Sequence, residues 1–287
     1  MGVLKVLVTG CNGQLGNALK ESSVNYSTIT WNFADHSEMD ITDCERVHNT
    51  IEIYQPDWII NTAAYTDVDG AEFNQKLAFS VNAEGPFNLA KAATLVDAKL
   101  LHISTDYVFD GTKNEPYTET DKPNPLQIYG KSKLEGENKI KEVDVPGIIL
   151  RTSWLYGHHG ENFVKKIMKL SEEKEEIQVV DDQIGSPTYT NDIVEAIFEL
   201  LFNHSFQKME LIHFANQGGI SWYEFATKII FLYGKKCILK PISSDTVKQV
   251  ARRPKFSKLD TSYFNQNYQF KIPKWDISLE KYITKLR

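Results

Sequence analysis

The stretch VLVTGCNGQLG, residues 6–16, decides how the rest of the chain is read. An apolar run stops at Thr9, and Gly10, Gly13 and Gly16 follow at intervals of three. Glycine allows a tight turn and close backbone approach. A helix beginning at once behind such a turn offers free N–H groups and a positive dipole end to a phosphate. Strand, glycine turn and helix at the start of a chain predict a dinucleotide-binding βα unit. An ordinary βα turn rich in glycine is the alternative.

The pattern continues outward. Further strands are expected at 27–35, 56–64, 98–104, 146–153 and 176–180, several apolar on both faces as in a sheet sandwiched between helices. Helical spacing covers 14–22, 74–96 and 129–143. This alternation predicts an α/β fold with a Rossmann-type doubly wound parallel sheet. The less regular remainder predicts a smaller C-terminal α/β substrate-binding part. The expected division is a dinucleotide-binding domain over 1–150 plus roughly 176–215, and a substrate-binding domain over roughly 151–175 and 216–287. The stretch 107–127, rich in Pro, Gly, Thr and Asp, reads as a long functional loop. The run SEEKEEI, 171–177, reads as a solvated helix end.

Composition sets bounds. The chain has 287 residues, 41% hydrophobic and 24% charged, enough for a substantial core. A net charge of −6 argues against nucleic acid or an anionic membrane as partner. Cys11, Cys44 and Cys237 are scattered, which fits a reducing compartment and no zinc site. With no apolar run long enough for a bilayer and no signal-peptide pattern at the start, a cytoplasmic protein is expected.

Two constellations carry chemistry. Tyr129 and Lys133, four apart in a helical stretch, share one face. An ammonium beside a phenol favours the phenolate, so the pair suits proton transfer near neutral pH. Ser104 and Thr105 end the strand 98–104, where Thr105 can hydrogen-bond a carbonyl oxygen that Tyr129 protonates. Either pair alone has a bland reading, a surface helix face or a capped strand end; their order along the chain favours catalysis. The second strand is expected to end at Trp31 or Asn32, so that Asp35 comes late and a 2′-phosphate is not excluded. Asn61 to Tyr65 close the next strand with small residues that leave room for a cofactor.

TGCNGQLG (9–16), NTAAYTDVDGAE (61–72), STDYVFDG (104–111), YGKSKLEGE (129–137), RTSWLYG (151–157), DDQIGSPTY (181–189) and ARRPKFSKLD (251–260) give the chain a nearly full-length likeness. It resembles the extended short-chain dehydrogenases/reductases and, within them, the dTDP-4-dehydrorhamnose reductase family. The resemblance implies NADPH or NADH as cofactor and a dTDP-sugar as substrate, for surface polysaccharide synthesis. It implies Tyr129 as general acid, Lys133 as the residue that binds ribose and lowers the tyrosine pKa, and Thr105 as orienter of the carbonyl. Gly10, Gly13, Gln14, Leu15 and Gly16 would bind the pyrophosphate, Asp40 and Ile41 the adenosine side, and Ala63, Ala64 and Tyr65 the middle of the cofactor. Ser104, Thr105, Asp106, Trp154, Asn162 and Arg253 would meet the substrate, with Lys255 a further candidate on the diphosphate. No metal is implied. His158 and His159 lack a third ligand, and Thr190-Asn191 replace the glutamate of magnesium-linked dimers, leaving a monomer or a homodimer. The rival readings are a nucleotide-sugar epimerase or dehydratase, a reductase of another 4-ketosugar nucleotide, and a non-enzymatic regulatory subunit of methionine adenosyltransferase.

Overall fold

A computed structural model describes residues 3–286. Six parallel strands form the central sheet: β1 Leu4–Thr9, β2 Ile29–Ala34, β3 Trp58–Asn61, β4 Lys99–Thr105, β5 Gly147–Thr152 and a sixth, Met209–His213. Their order is 2-1-3-4-5-6. The direction of winding therefore reverses between β1 and β3, and a crevice opens at their carboxyl ends, where α/β sheets bind ligands.

Side-chain alternation explains the double layer. Val6, Val8, Ile60, Leu101, Ile148 and Leu150 pack to one face with the helices Gln14–Ser23 and Thr190–Asn203. Leu7, Ile59, Leu100 and Ile149 pack to the other with Cys44–Tyr54, Gly85–Thr94 and Ile128–Lys141. Both faces are buried, so the strands read as continuous apolar runs.

A smaller body packs beside the sheet around Tyr156, Ile177, Tyr189, Phe225 and Tyr282. Its helix Trp222–Tyr233 carries a capping box, Ser221 with Glu224, and stops at Gly234 in the left-handed region.

Three expectations need correction. Glu176–Val180 does not join the main sheet; it pairs in parallel with Ile238–Ile242 in the smaller body. Its alternation of exposed and buried residues suits a strand covered on one face only. The sixth strand of the sheet is instead Met209–His213, whose mixed sequence MELIH hid it. The stretch 74–96 is helical but interrupted by a π-turn at Ser80–Glu84. There the buried Asn82 side chain bonds the backbone of Tyr65 and donates to Ser132 Oγ. The run 171–177 splits: the helix ends at Glu173 and a strand starts at Glu176.

No helix among the described residues is long and apolar enough to cross a membrane.

Glu137 and Arg151, 0% and 1% exposed, form a bidentate pair at 2.8 and 2.6 Å that ties the Ile128–Lys141 helix to β5. Burial alone would raise the Glu137 pKa, but the guanidinium and the Ser104 hydroxyl outweigh it and hold the group below its usual value. Its contribution is thus present above the unfolded carboxylate range and lost as pH falls through the lower folded value. Arg151→Met leaves a buried charge unpaired and should cost about 3–5 kcal/mol in urea unfolding at neutral pH.

Candidate active site

A cleft of about 780 Å³ lies at the carboxyl ends of the strands, over the reversal between β1 and β3. Gly10, with φ +68°, brings the β1 turn against β3: a Cβ there would lie 2.6 Å from the backbone of Ala63. Gly13 is the N-cap of the Gln14–Ser23 helix and contributes no side-chain cap. The first-turn amides of that helix are thereby left to an external anion. Thr152, whose buried hydroxyl has no protein partner, borders the same cleft. These features fit a dinucleotide.

Gly10, Gly13, Gln14, Leu15, Asp40, Ile41, Ala63 and Ala64 all line the cleft, as do Ser104, Thr105, Asp106, Tyr129, Lys133 and Trp154. Five expected residues do not, among them Lys255, which is exposed and pairs with Asp182 and Asp245. Gly16 instead lets the helix start lie against the turn, since a Cβ would meet Gly10 O at 2.5 Å. Tyr65 is held through its backbone by Asn82, and its phenol packs by Gly70 and Asn74. Asn162 caps the Phe163–Glu173 helix and donates to Gly157 O and to Gln14 Oε1. Arg253 is taken up by Asp69 in a bidentate pair and by the carbonyl of Ala251. Ser104 borders the cleft, yet its hydroxyl donates to Glu137 Oε1 at 2.6 Å and faces the helix. His158 packs on Tyr189 and Tyr282, while His159 pairs with Glu21; the described residues contain no metal-binding group.

The three residues expected to act in catalysis converge, with a change of sign. Tyr129, Thr105 and Lys133 all face the cleft, and the Thr105 hydroxyl donates to Asp106 Oδ1 at 3.2 Å. Burial pushes Tyr129 up to about 12. Lys133, 2% exposed, directs Nζ to Ile103 O at 2.6 Å and to His102 Nε2 at 3.2 Å. Burial draws its ammonium down to about 8, against an opposing pull from Glu137. The expected lowering of the phenol by Lys133 is therefore not what the structure has. Loss of hydration outweighs it, and the phenol keeps its proton at neutral pH. Asp106 is also raised by burial, to about 7, although the Ser257 hydroxyl and the Thr105 hydroxyl, which donates to Oδ1 at 3.2 Å, pull it the other way.

Sequence reading passed over several lining residues. Trp222 stacks on Trp154 with centroids 3.4 Å apart and planes 6° apart. Trp154 itself adopts φ +46°, uncommon for a bulky side chain and typical of functional turns. Trp222 has no motif around it, so only the fold brings it to the cleft. His36, Met39 and Tyr107 line the cleft as well. Asp35 follows directly on β2, which runs to Ala34 rather than ending at Trp31 or Asn32. Its carboxylate accepts from Asn12 Nδ2 and from the Ser37 and Glu38 backbone. Those bonds, led by the Ser37 hydroxyl, hold it below its usual pKa.

The sequence pattern of the family described as RmlD substrate binding domain matches residues 4–287. The chain belongs to that family. It is 38% identical over 285 residues to dTDP-4-dehydrorhamnose reductase of Aggregatibacter actinomycetemcomitans, covering 96% of this chain and 97% of that one. It is 41% identical over 259 residues to the spore coat polysaccharide biosynthesis protein SpsK of Bacillus subtilis strain 168, covering 89% and 88%. Among solved structures, dTDP-4-dehydrorhamnose reductase of Bacillus anthracis in complex with NADP superposes with a TM-score of 0.94 at 41% identity, over 98% and 99% of the two chains. In this RmlD-family chain the stacked tryptophans form one wall of the cleft. Two parallel indoles at that spacing couple as an exciton, so Trp222→Ala should remove a couplet from the circular dichroism spectrum while the helical signal stays.

Proposed function

We propose that the protein reduces the 4-keto group of dTDP-4-dehydro-L-rhamnose to the alcohol of dTDP-L-rhamnose, with NADPH or NADH, for cell-surface polysaccharide synthesis in the cytoplasm. The observation that carries the reading is the convergence of a protonated Tyr129, Thr105 and Lys133 beside a tryptophan wall, in a cleft built for a dinucleotide. The family relatives with that activity support the substrate class.

A bound reduced nicotinamide supplies the hydride, and the chain does the rest. The uncapped helix start behind Gly13 and the bare backbone at Gly10 and Ala63 receive the pyrophosphate and hold the dinucleotide along the crevice. Lys133 lies at the ribose side and Thr105 at the carbonyl. Trp154 offers an apolar face to the deoxysugar ring. As hydride reaches C4, negative charge grows on O4. Tyr129 holds its proton in a buried environment and gives it to that oxygen, since a phenol is a weak enough acid to stay charged with its proton until an alkoxide forms. The Thr105 hydroxyl, in the same cleft, is the group that would orient the carbonyl toward the phenol. The product is the alcohol, and the phenolate is reprotonated from solvent.

A coupled assay tests the reading: dTDP-glucose, an upstream dehydratase and a 3,5-epimerase generate the ketosugar, and NAD(P)H absorbance is followed. Tyr129→Phe should lower kcat by about 10²–10⁴ with cofactor affinity largely kept. Stoichiometric bound NAD with no net cofactor consumption would favour an epimerase instead. Asp35 stands where an acidic residue normally meets the adenosine ribose. Its charge opposes a 2′-phosphate, so Asp35→Asn should raise the ratio of kcat/KM for NADPH over NADH by about tenfold.

A further inference from the structure

Lys133 sits at the end of a row of buried polar side chains that crosses the sheet. The register sets Thr9 beside Asn61 and Asn61 beside His102 on three adjacent strands. All three are 0% exposed, and all lie on the face covered by the Ile128–Lys141 helix. Thr9 Oγ1 donates to Asn61 Oδ1 at 2.8 Å, Asn61 Nδ2 meets His102 Nδ1 at 3.0 Å, and His102 Nε2 stands 3.2 Å from Lys133 Nζ.

One backbone group fixes where each proton is. The N–H of Ala63 donates to Asn61 Oδ1 at 3.1 Å. A backbone amide cannot accept, so the Asn61 oxygen must face Ala63, and its NH₂ must face the histidine. His102 Nδ1 is then an acceptor, and the neutral ring carries its hydrogen on Nε2. A doubly protonated ring is opposed by burial and by Lys133, which together hold the His102 pKa well below its ordinary value. The Nε2–H therefore points at Lys133. An ammonium has three donors and no lone pair, and would set N–H against N–H. An amine accepts from Nε2–H with its lone pair and still donates to Ile103 O at 2.6 Å.

We infer that His102 is a positioning residue that favours the neutral amine of Lys133 in the cofactor-free protein, and that above neutral pH the lysine takes up a proton as the ribose hydroxyls arrive. The inference rests on the dinucleotide reading above. The other groups facing Lys133 are compatible with it. Burial already draws the ammonium down to about 8. Glu137, one turn on in the same helix, favours the charged form, but its carboxylate is engaged by Arg151 of β5 and by Ser104 of β4. Tyr129, one turn back, stays a neutral phenol, and the Asn82 side chain is uncharged. The proton balance is simple: amine plus one proton from buffer gives ammonium, so binding at a pH above the free value consumes protons.

Two measurements decide it. In protein labelled with ¹⁵N-histidine, the His102 ring, assigned by the signal lost in His102→Gln, should show the Nε2–H tautomer before cofactor is added. Calorimetry of NADPH binding at about pH 8.5, in buffers of different ionisation enthalpy, should show uptake approaching one proton in the wild type. His102→Gln, whose amide N–H reaches the Nε2 position, should keep that uptake, and His102→Leu should lose most of it. An Nδ1–H tautomer in the free protein, or unchanged uptake in the leucine variant, would overturn the inference. The tautomer is read on wild-type protein, so the result stands even if the leucine variant folds poorly. NADPH that fails to bind the wild type at all would overturn the dinucleotide reading and this inference with it; NADPH that binds without proton uptake would overturn only the inference.

Discussion

The ion pair between Glu137 and Arg151 sets the working geometry of the molecule. Tyr129, Lys133 and Glu137 follow one another at intervals of four along one helix, so they share a face. Glu137 is locked to Arg151 on β5 and to Ser104 on β4, and register places those two opposite each other. The far end of the helix is thus pinned to two strands. With that end fixed, its first turns can only present the phenol and the amine at the mouth of the crevice. A surface pair would not do this, because solvent would screen it and let the helix shift. Here a shift would strand a charge in the core.

The same burial that makes the pair decisive also sets the protons of the site. Removing water from a phenol raises its pKa, and removing water from an ammonium lowers it. Tyr129 and Lys133 move in these opposite directions. The outcome is a tyrosine that carries its proton to the reaction and a lysine that is easily discharged. A direct phenol–ammonium pair would have worked the other way, toward phenolate, and left the acid without its proton.

Much of this was legible in the chain itself. The apolar runs of β1, β3, β4 and β5, the glycine turn and the four-residue spacing from Tyr129 to Lys133 are local patterns, and local patterns survive into the fold. The cleft-lining residues from Gly13 to Leu15 and from Ala63 to Ala64 were legible for the same reason: they directly follow strands, and the ends of strands in a parallel sheet face one crevice. Expectation and structure part where a side chain had a choice of partner. Ser104 alternates toward the helix and finds Glu137; Arg253 finds Asp69; Tyr65 finds Asn82 and the helix beside it. Glu176–Val180 looked like one more sheet strand because its sequence cannot say which neighbour it pairs with. Met209–His213 was hidden because two of its five residues are polar at a sheet edge.

By itself, the sequence determined the layered α/β architecture, the crevice at the strand ends and the four-residue spacing of Tyr129 and Lys133, because periodicity and strand-end position are properties of neighbouring residues. Tertiary structure alone decided the row from Thr9 through Asn61 and His102 to Lys133, the stacking of Trp222 on Trp154, and the sign of each pKa shift. Those depend on register between strands distant in sequence and on how much water packing removes, and neither quantity is written in any short stretch of the chain.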